Sequence, residues 1–259
     1  MSGSYAVYAL KYAERDARSH EHFFGGDPHD VPMPMDYFIW VATSPERTIV
    51  IDTGFTPEVG SRRGRRHLRA PAEALRAVGV DAAAVELVIL SHFHYDHVGS
   101  VDQFPGAQFV VQDAEMAFWT GRVLSRPEFR KHVELADLQA LVRLNYDGRM
   151  RFADGDDEVA SGISVHCVGG HTGGLQVVRI QTNVGPVVLA ADASHYYANI
   201  EQDRPFSVVT DLPGMYRAFD TLRSLAGGLE RLIPGHDPLV LRRFPAAAPD
   251  LDGIAARIA

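Results

Sequence analysis

The residues best suited to chemistry lie close together, between positions 91 and 100. Within six positions this stretch contains three histidines and one aspartate, namely His92, His94, Asp96 and His97. Imidazole and carboxylate groups are the usual protein ligands of zinc and similar divalent ions. Four such groups at this density predict a site that can hold more than one metal ion.

The order of the four residues predicts how they are divided. They follow the apolar run 85–90, which is typical of a buried strand. Because residues i and i+2 of an extended chain point to the same side, His92 and His94 can face one ion. The chain then turns, so Asp96 and His97 point elsewhere and can serve a neighbouring ion. The alternative, surface histidines on a polar loop, suits an isolated histidine better than this ordered set.

Further candidate ligands follow three later apolar runs. The runs 163–168, 186–191 and 229–233 lead into His171, Asp192 and His236. Glycines beside His171 and His236 allow the backbone to approach a crowded centre closely. Taken singly, each residue could be an ordinary turn residue, Asp192 above all. Together with the first cluster they predict a dinuclear metal site built at several strand ends.

These motifs resemble those of the metallo-β-lactamase superfamily. The run from His92 to His97, with the later His171, Asp192 and His236, is similar to its metal-binding motif. The segment 49–54 resembles its strand-Asp-x-Gly motif, in which the aspartate, here Asp52, supports a ligand histidine. The resemblance covers roughly residues 35–240. It implies an α/β fold with a single domain over 1–259, a four-layer αββα sandwich carrying a dinuclear site at one edge of its two sheets.

Within the superfamily, the chain is most similar to the N-acyl-homoserine lactonases. The likeness rests on four segments: Ser91–Gly99, Gly170-His171-Thr172, Asp192-Ala193-Ser194 and Gly235-His236-Asp237. The resemblance implies that one metal ion takes His92, His94 and His171. It implies that the other takes Asp96, His97 and His236, with Asp192 bridging both ions.

One position departs from the lactonase pattern. These lactonases commonly have a tyrosine three residues after the bridging aspartate, where it touches the carbonyl group of the substrate. This chain has His195 there, followed by Tyr196 and Tyr197. We therefore expect the group that steadies the carbonyl to be His195 or Tyr196, with His195 favoured by position and Tyr196 by chemistry.

The resemblance implies a hydrolase that opens a lactone ring, an N-acyl-homoserine lactone or a related one, and so acts on ester bonds in quorum quenching. The expected mechanism is attack by a hydroxide that bridges two divalent ions. Zinc is favoured by ligand type, and manganese, iron and cobalt are alternatives. Asp96 is expected to orient the nucleophile and then to pass a proton to the leaving oxygen.

Other functions share such a metal centre. A thioesterase of the glyoxalase II type normally carries a helical C-terminal domain, and only 23 residues follow His236. A β-lactamase is expected to have a signal sequence and no bridging aspartate. A hydrolase of another ester, a catabolic lactone or a phosphodiester fits the same motifs. A metal-binding regulator without turnover is the remaining alternative, and it is disfavoured because all seven ligands are present.

Composition restricts the partners of the protein. The net charge of −8 disfavours nucleic acid, although the arginine-rich run 61–69 keeps an anionic substrate or phosphate open as an alternative. No apolar stretch reaches the ~20 residues that span a bilayer, and the N-terminal sequence does not resemble a secretion signal. The single cysteine, Cys167, excludes an internal disulfide. We expect a cytoplasmic protein with a small-molecule substrate; its oligomeric state stays open, with a homodimer as one option.

The chain alternates apolar strands with helical patterns throughout. Strands are predicted near 5–10, 37–43, 47–52, 85–90, 108–111, 163–168, 175–181 and 186–191. Helices are predicted near 71–79, 113–119, 127–146 and 213–226, and after the last strand. The segment from His20 to Asp36 is rich in proline, glycine and apolar residues. It predicts a loop that either walls the active site or simply folds onto the core.

Overall fold

The computed structural model describes residues 4–259. Its strands are β1 (Ala6–Arg15), β2 (Met35–Thr43), β3 (Thr48–Ile51), β4 (Arg66–His67), β5 (Leu87–Ile89), β6 (Gln108–Gln112), β7 (Met150–Ala153), β8 (Asp157–Ala160), β9 (Ile163–Cys167), β10 (Gln176–Thr182), β11 (Gly185–Ala191), β12 (Leu232–Pro234) and β13 (Ala255–Arg257). Its helices are α1 (Pro57–Arg62), α2 (Pro71–Ala77), α3 (Tyr95–Val98), α4 (Asp113–Thr120), α5 (Pro127–Arg130), α6 (Leu135–Tyr146), α7 (Tyr197–Glu201), α8 (Leu212–Ala226) and α9 (Val240–Arg243).

The strands form two sheets. The larger sheet has the order β13-β1-β2-β3-β5-β6-β7, with β4 paired to β1 at one end of that strand. The smaller sheet has the order β12-β11-β10-β9-β8. Strands β3, β5, β6 and β7 run parallel to one another, as do β11 and β12. Their carboxyl ends therefore lie at common sheet edges, where ligands bind in open α/β sheets.

Alternating side chains divide the molecule into layers. In β2, Phe38 and Trp40 join the core between the two sheets, whereas Ile39 and Val41 face the helix-covered side of the larger sheet. In β11, Leu189 joins the core between the sheets and its neighbours face α8. Strands that are buried on both faces need such unbroken apolar sequences. The result is the four-layer αββα sandwich expected from the resemblance.

The helix predicted over 127–146 is in fact two helices, α5 and α6, with a break at residues 131–134. The break has a tertiary cause, because the carbonyl oxygen of His132 accepts a hydrogen bond from the backbone N–H of Tyr95 at 3.0 Å. Within α6, Leu138 and Leu141 are buried, whereas Leu135 and Val142 are exposed. The interruption brings His132 next to the histidine cluster.

Several elements were not predicted, among them the short strands β7, β8 and β13 and the helix α7. Such short segments carry too little periodicity to be recognised in sequence. Among residues 4–259, no helix combines the length and the apolar character needed to cross a membrane.

Candidate metal centre

Seven buried side chains converge where the two sheets meet. Asp52 follows β3, and the cluster from His92 to His97 follows β5 on the same edge of the larger sheet. The smaller sheet supplies the residues that follow β9, β11 and β12. The structure brings together the side chains expected as metal ligands, in two groups that share one aspartate: His92, His94, His171 and Asp192, and Asp96, His97 and His236.

The first group surrounds one oxygen of Asp192. Its Oδ2 atom lies 3.1 Å from Nε2 of His171 and 3.5 Å from Nε2 of His92. Nδ1 of His94 lies 2.9 Å from Nε2 of His171. His94 thus turns its Nδ1 atom inward, whereas His92 and His171 turn Nε2 inward. Three nitrogens and one oxygen therefore point toward a common position.

The second group surrounds the other oxygen of the same carboxylate. Oδ1 of Asp192 lies 3.0 Å from Nε2 of His236 and 3.3 Å from Nε2 of His97. Oδ2 of Asp96 lies 3.7 Å from each of these two nitrogens. Asp192 therefore directs one oxygen to each group, as a bridging carboxylate would.

Outer hydrogen bonds set the orientation of two imidazoles. Nδ1 of His171 lies 2.7 Å from the carbonyl oxygen of Val208, and Nδ1 of His236 lies 2.9 Å from that of Asp36. A carbonyl oxygen only accepts hydrogen bonds, so each Nδ1 must carry the proton. Each ring therefore turns its Nε2 atom toward the centre, where that nitrogen can bind a metal ion.

This donor set fits divalent cations. Nε2 of His236 lies 3.0 Å from Oδ1 of Asp192, so a cation at this point would meet both an imidazole and a carboxylate ligand. Nε2 of His92 and Nε2 of His97 are buried and have no hydrogen-bond partner among residues 4–259. Buried polar atoms are almost always satisfied, so orphaned nitrogens aimed at a shared carboxylate point to a bound ion.

The pKa values of the ligands agree with this description. Burial holds the pKa of His92 and that of His94 well below the usual value, which keeps both imidazoles neutral. Burial also disfavours a charged His97, but the carboxylates of Asp192 and Asp52 outweigh it and raise the pKa of His97 well above its usual value. A proton and a metal ion are thus competing ways to neutralise the buried carboxylates.

Asp52 supports His97, as the resemblance implied. Oδ2 of Asp52 lies 2.7 Å from Nδ1 of His97, and the carboxylate also accepts bonds from the N–H and the hydroxyl of Ser91. The backbone of Asp52 is left-handed, with φ of 62°. A non-glycine residue in this region is strained and is held there by its surroundings, which is common at functional sites.

Tight backbone contacts bring the smaller sheet's ligands into place. Gly170, before His171, has φ of +81°, and a Cβ there would lie 2.7 Å from the backbone nitrogen of Met215. A Cβ on Gly235, before His236, would lie 2.6 Å from the carbonyl oxygen of Ala191. Both positions therefore exclude any side chain, in agreement with the role predicted for the flanking glycines.

A small cavity of about 120 Å³ opens onto the two groups. Its wall contains His94, Asp96, His171 and Asp192 together with other residues, namely Arg15, Met35, Tyr37, Arg65, Tyr95, His132, His195, Phe206 and Val208. The loop predicted over 20–36 ends earlier, because β2 begins at Met35, which lines the cavity. Within the loop, the His22 ring stacks on Phe206 of the cavity wall at 5.7 Å. The segment thus forms part of the wall, in accordance with one of its two sequence interpretations.

His195 lies on the cavity wall beside both groups. Its Nε2 atom is 3.0 Å from Oδ2 of Asp192, and its ring stacks on that of Phe206 at 3.4 Å with an interplanar angle of 6°. His195 also forms, with Asp192 and His236, a third set of converging ligand atoms. Its position therefore allows either a hydrogen bond to a substrate or a contact with a metal ion.

Tyr196 has a different environment. Its hydroxyl lies 3.0 Å from Nε2 of His22 and 3.2 Å from the carbonyl oxygen of Pro34. It is buried and is absent from the described wall of the cavity. Burial raises the pKa of the Tyr196 hydroxyl above its usual value, so it stays protonated. In this structure its hydroxyl anchors the segment that contains His22.

Sequence reasoning missed Glu115, a buried carboxylate on α4. Its Oε1 atom accepts bonds from the N–H of Phe93 and the indole of Trp119, at 2.9 and 2.8 Å. Its Oε2 atom accepts bonds from the hydroxyl of Thr172 and the N–H of Gly174, at 2.7 and 2.8 Å. Phe93 stands between His92 and His94, and Thr172 follows His171. Glu115 therefore ties together the two loops that form the first group.

His132 and Trp119 were also missed. The His132 ring lies 5.2 Å from that of His94, and the Trp119 ring lies 5.5 Å from it on another side. Neither residue belongs to a motif, and Trp119 lies at the end of the helix predicted over 113–119. Only the break between α5 and α6 reveals His132 as part of the cavity wall.

Comparisons with known proteins agree with this geometry. The N-acyl homoserine lactonase of a Bacillus species is 33% identical over 135 residues, which is 51% of this chain and 48% of that protein. The chain thus spans about half the length of this relative. The N-acyl homoserine lactonase AttM of Azorhizobium caulinodans is 28% identical over 234 residues, covering 82% of this chain and 85% of that one.

Solved structures share the fold. A quorum-quenching N-acyl homoserine lactone lactonase superposes with a TM-score of 0.74 at 22% identity, covering 92% of this chain and 93% of that one. AidC, described as a dizinc quorum-quenching lactonase in complex with a product, has a TM-score of 0.74 at 22% identity over 92% and 89% of the two chains. The metallo-beta-lactamase superfamily profile matches residues 33–236. With this match over most of its length, the chain belongs to the metallo-beta-lactamase superfamily.

Proposed function

We propose that this protein is a dinuclear metal-dependent hydrolase that opens a lactone ring, an N-acyl-homoserine lactone or a related one. The observation that carries the proposal is the position of Asp192, which directs one oxygen to each of two groups of buried ligands. The relatives named as N-acyl homoserine lactonases support the choice of substrate class.

The proposed ions are two divalent cations, with zinc favoured because five of the seven ligands are imidazoles. His92, His94 and His171 would hold one ion, and Asp96, His97 and His236 the other, with Asp192 between them. When bound, such ions lower the pKa of water to about 7 and polarise an ester carbonyl. The competition between proton and metal at these sites predicts that loading with metal releases protons.

The residues of the cavity would bind the substrate and transfer the proton. The cavity of about 120 Å³ accommodates a small ring, and a neighbouring cavity of about 130 Å³, which shares His94, His132 and His171, can take part of a substituent. The nucleophilic water adds to the carbonyl carbon and the ring C–O bond breaks. The Asp96 carboxylate takes the proton of the nucleophile and returns it to the leaving alkoxide, which yields a hydroxy acid.

His195 is the proposed donor to the carbonyl oxygen. Of the two candidates, only His195 belongs to the wall of the cavity. Its Nδ1 atom is buried without a hydrogen-bond partner among residues 4–259, and Nε2 contacts Asp192. A small rotation of the ring would aim one N–H at the charge that develops on the substrate oxygen.

A substrate panel with metal analysis tests the proposal. Protein purified without chelator should contain two divalent ions per chain and open acyl-homoserine lactones or simple lactones. A metal content that stays at one or below after supplementation would contradict the dinuclear assignment. Activity confined to thioesters or phosphodiesters would contradict the lactonase assignment, and full metal occupancy without any turnover would favour a regulator. The cytoplasmic location and the oligomeric state stay predictions.

A further inference from the structure

The arginine-rich run 61–69 is the one sequence feature that the proposed function leaves unexplained. Most of its arginines have a local partner. Arg62 and Arg63 pair with Glu134, and Arg66 pairs with Glu14. Arg69 donates to the carbonyl oxygen of Lys11. These four arginines therefore have ordinary structural roles at the surface.

Arg65 is the exception. Among residues 4–259, no carboxylate lies within 4.0 Å of its guanidinium, and its side chain lines the cavity of the metal centre. Its Nε atom donates to the hydroxyl of Tyr95 at 3.1 Å and its Nη1 atom donates to the carbonyl oxygen of Arg63 at 2.8 Å. These two bonds fix the guanidinium plane and leave Nη2 free for a ligand.

A second arginine lies beside it. In the antiparallel ladder between β1 and β4, Ala13 pairs with His67 and Glu14 pairs with Arg66. Arg65 lies just before β4, and continuing this register by one step sets it opposite Arg15, on the same face as Ala13 and His67. Arg15 also lines the cavity, and its Nε atom is buried without a hydrogen-bond partner among the described residues.

Two like charges on adjacent strands repel each other unless an anion lies between them. Oε2 of Glu21 lies 3.1 Å from Nη1 of Arg15. Arg65 has no such carboxylate partner among residues 4–259. Asp96 faces the same cavity, but in the proposed function its charge is shared with a metal ion. The Arg65 guanidinium is therefore a positive charge in the wall of the cavity that no carboxylate within 4.0 Å offsets among residues 4–259, in a protein whose net charge is −8.

We propose that Arg65 and Arg15 form an anion-recognition site at the mouth of the metal cavity, and that the preferred substrate is a lactone that carries a carboxylate. A guanidinium fork matches a carboxylate in shape and charge. The substrate lactone then reaches the metal centre while its carboxylate stays with the arginines. This inference rests on the proposed function and narrows its substrate class.

The experiment compares a γ-butyrolactone bearing a ring carboxylate with its methyl ester, which has nearly the same shape but no charge. The parent enzyme should open the acid with the lower KM. In Arg65→Met, the KM for the acid should rise by about 10- to 100-fold, the usual range for a lost charged hydrogen bond. The KM for the methyl ester should change little, and Arg15→Met should show the same selectivity to a smaller extent.

Two variants make the test specific. Arg66→Met removes the neighbouring charge from the opposite face of the ladder, so it should leave both substrates unchanged. Arg65→Lys keeps the charge but not the fork, so it should recover part of the loss for the acid. Metal content and circular dichroism of each variant show whether the fold and the centre are intact.

Other outcomes contradict the inference. If Arg65→Met slows the acid and the methyl ester equally, the arginine serves the reaction in general and does not recognise a substrate carboxylate. If the parent enzyme opens only the methyl ester and neutral lactones, the inference is wrong and the proposed function stands. If it opens no lactone but cleaves a phosphodiester in a way that depends on Arg65, both assignments are wrong and the anion is a phosphate.

Discussion

The metal centre has two halves that the chain builds in different ways. The half from the larger sheet is contiguous, with four ligand-type residues between His92 and His97. The half from the smaller sheet is dispersed, with His171, Asp192 and His236 at three separate strand ends. The contiguous half gains its geometry from one loop and a short helix, whereas the dispersed half depends on the packing of a whole sheet.

The two halves are joined at two carboxylates. Asp192 lies at the centre and contacts nitrogens from both halves. Glu115 lies outside and binds both loops of the first group through three hydrogen bonds, from Phe93, Thr172 and Gly174. A contiguous motif therefore supplies ligands, but long-range contacts decide whether they meet. Substitutions in each half and at the two carboxylates test this division.

Asp192→Ala should have the largest effect, because it removes the one ligand common to both groups. We expect metal content and lactone turnover to fall together, to the limit of detection for turnover. Elemental analysis and rate measurements on the same preparation check this. Retention of both ions in the variant would show that the two halves hold their metals independently.

Asp96→Asn tests the contiguous half. The substitution keeps the shape but removes the proton acceptor, so turnover should fall by about 10²–10⁴, the range for a lost general acid–base group. Metal content should fall by a smaller factor, since five histidines and Asp192 remain. Near-normal turnover at full occupancy would exclude the proton-transfer role of Asp96.

His195→Ala and Tyr196→Phe separate two neighbours in the dispersed half. A lost oxyanion donor costs about 10²–10³ in turnover, and we expect this loss in His195→Ala while metal content holds. Tyr196→Phe should retain near-parent turnover, because the hydroxyl contacts His22 and Pro34 and lies off the cavity wall. The reverse result, a slow Tyr196→Phe variant and a fast His195→Ala variant, would move the donor to Tyr196.

Glu115→Gln tests the outer junction and should act on metal affinity more than on the turnover of the fully loaded protein. An amide can accept bonds with one atom only, so its NH2 group must face two of the four donors. We expect metal affinity to weaken by about 10- to 100-fold, as for other supports behind ligands. The free energy of unfolding of the metal-free protein should fall by about 1–3 kcal/mol.

If Glu115→Gln only destabilised the fold, both metal sites of the variant would lose affinity equally. A positioning role predicts that the site of His92, His94 and His171 empties first in a chelator titration, because Glu115 supports its loops. Equal loss from both sites would contradict that role. Glu115→Asp should also bind metal more weakly than the parent protein does, because its shorter side chain cannot reach both loops.

The metal ligands could be predicted from the sequence because the motif is local and the chemistry of its residues is distinctive. Asp52 and the glycines beside His171 and His236 could be predicted for the same reason. Arg65 was visible only as one of several arginines, because its register opposite Arg15 depends on the pairing of β1 with β4. Glu115 and His132 had no signal at all, since a single glutamate on a helix or a histidine in a loop is usually exposed.

The sequence by itself determined most of the longer strands, the strand ends that carry ligands and the types of ligand, because apolar runs and motif spacing are properties of the local chain. The tertiary structure alone decided which ligands share an oxygen of Asp192, that Tyr196 turns toward His22, and that Arg65 and Arg15 face the cavity together. Those relations join residues far apart in the chain. They are set by how the two sheets pack and where helices break, which no local pattern records.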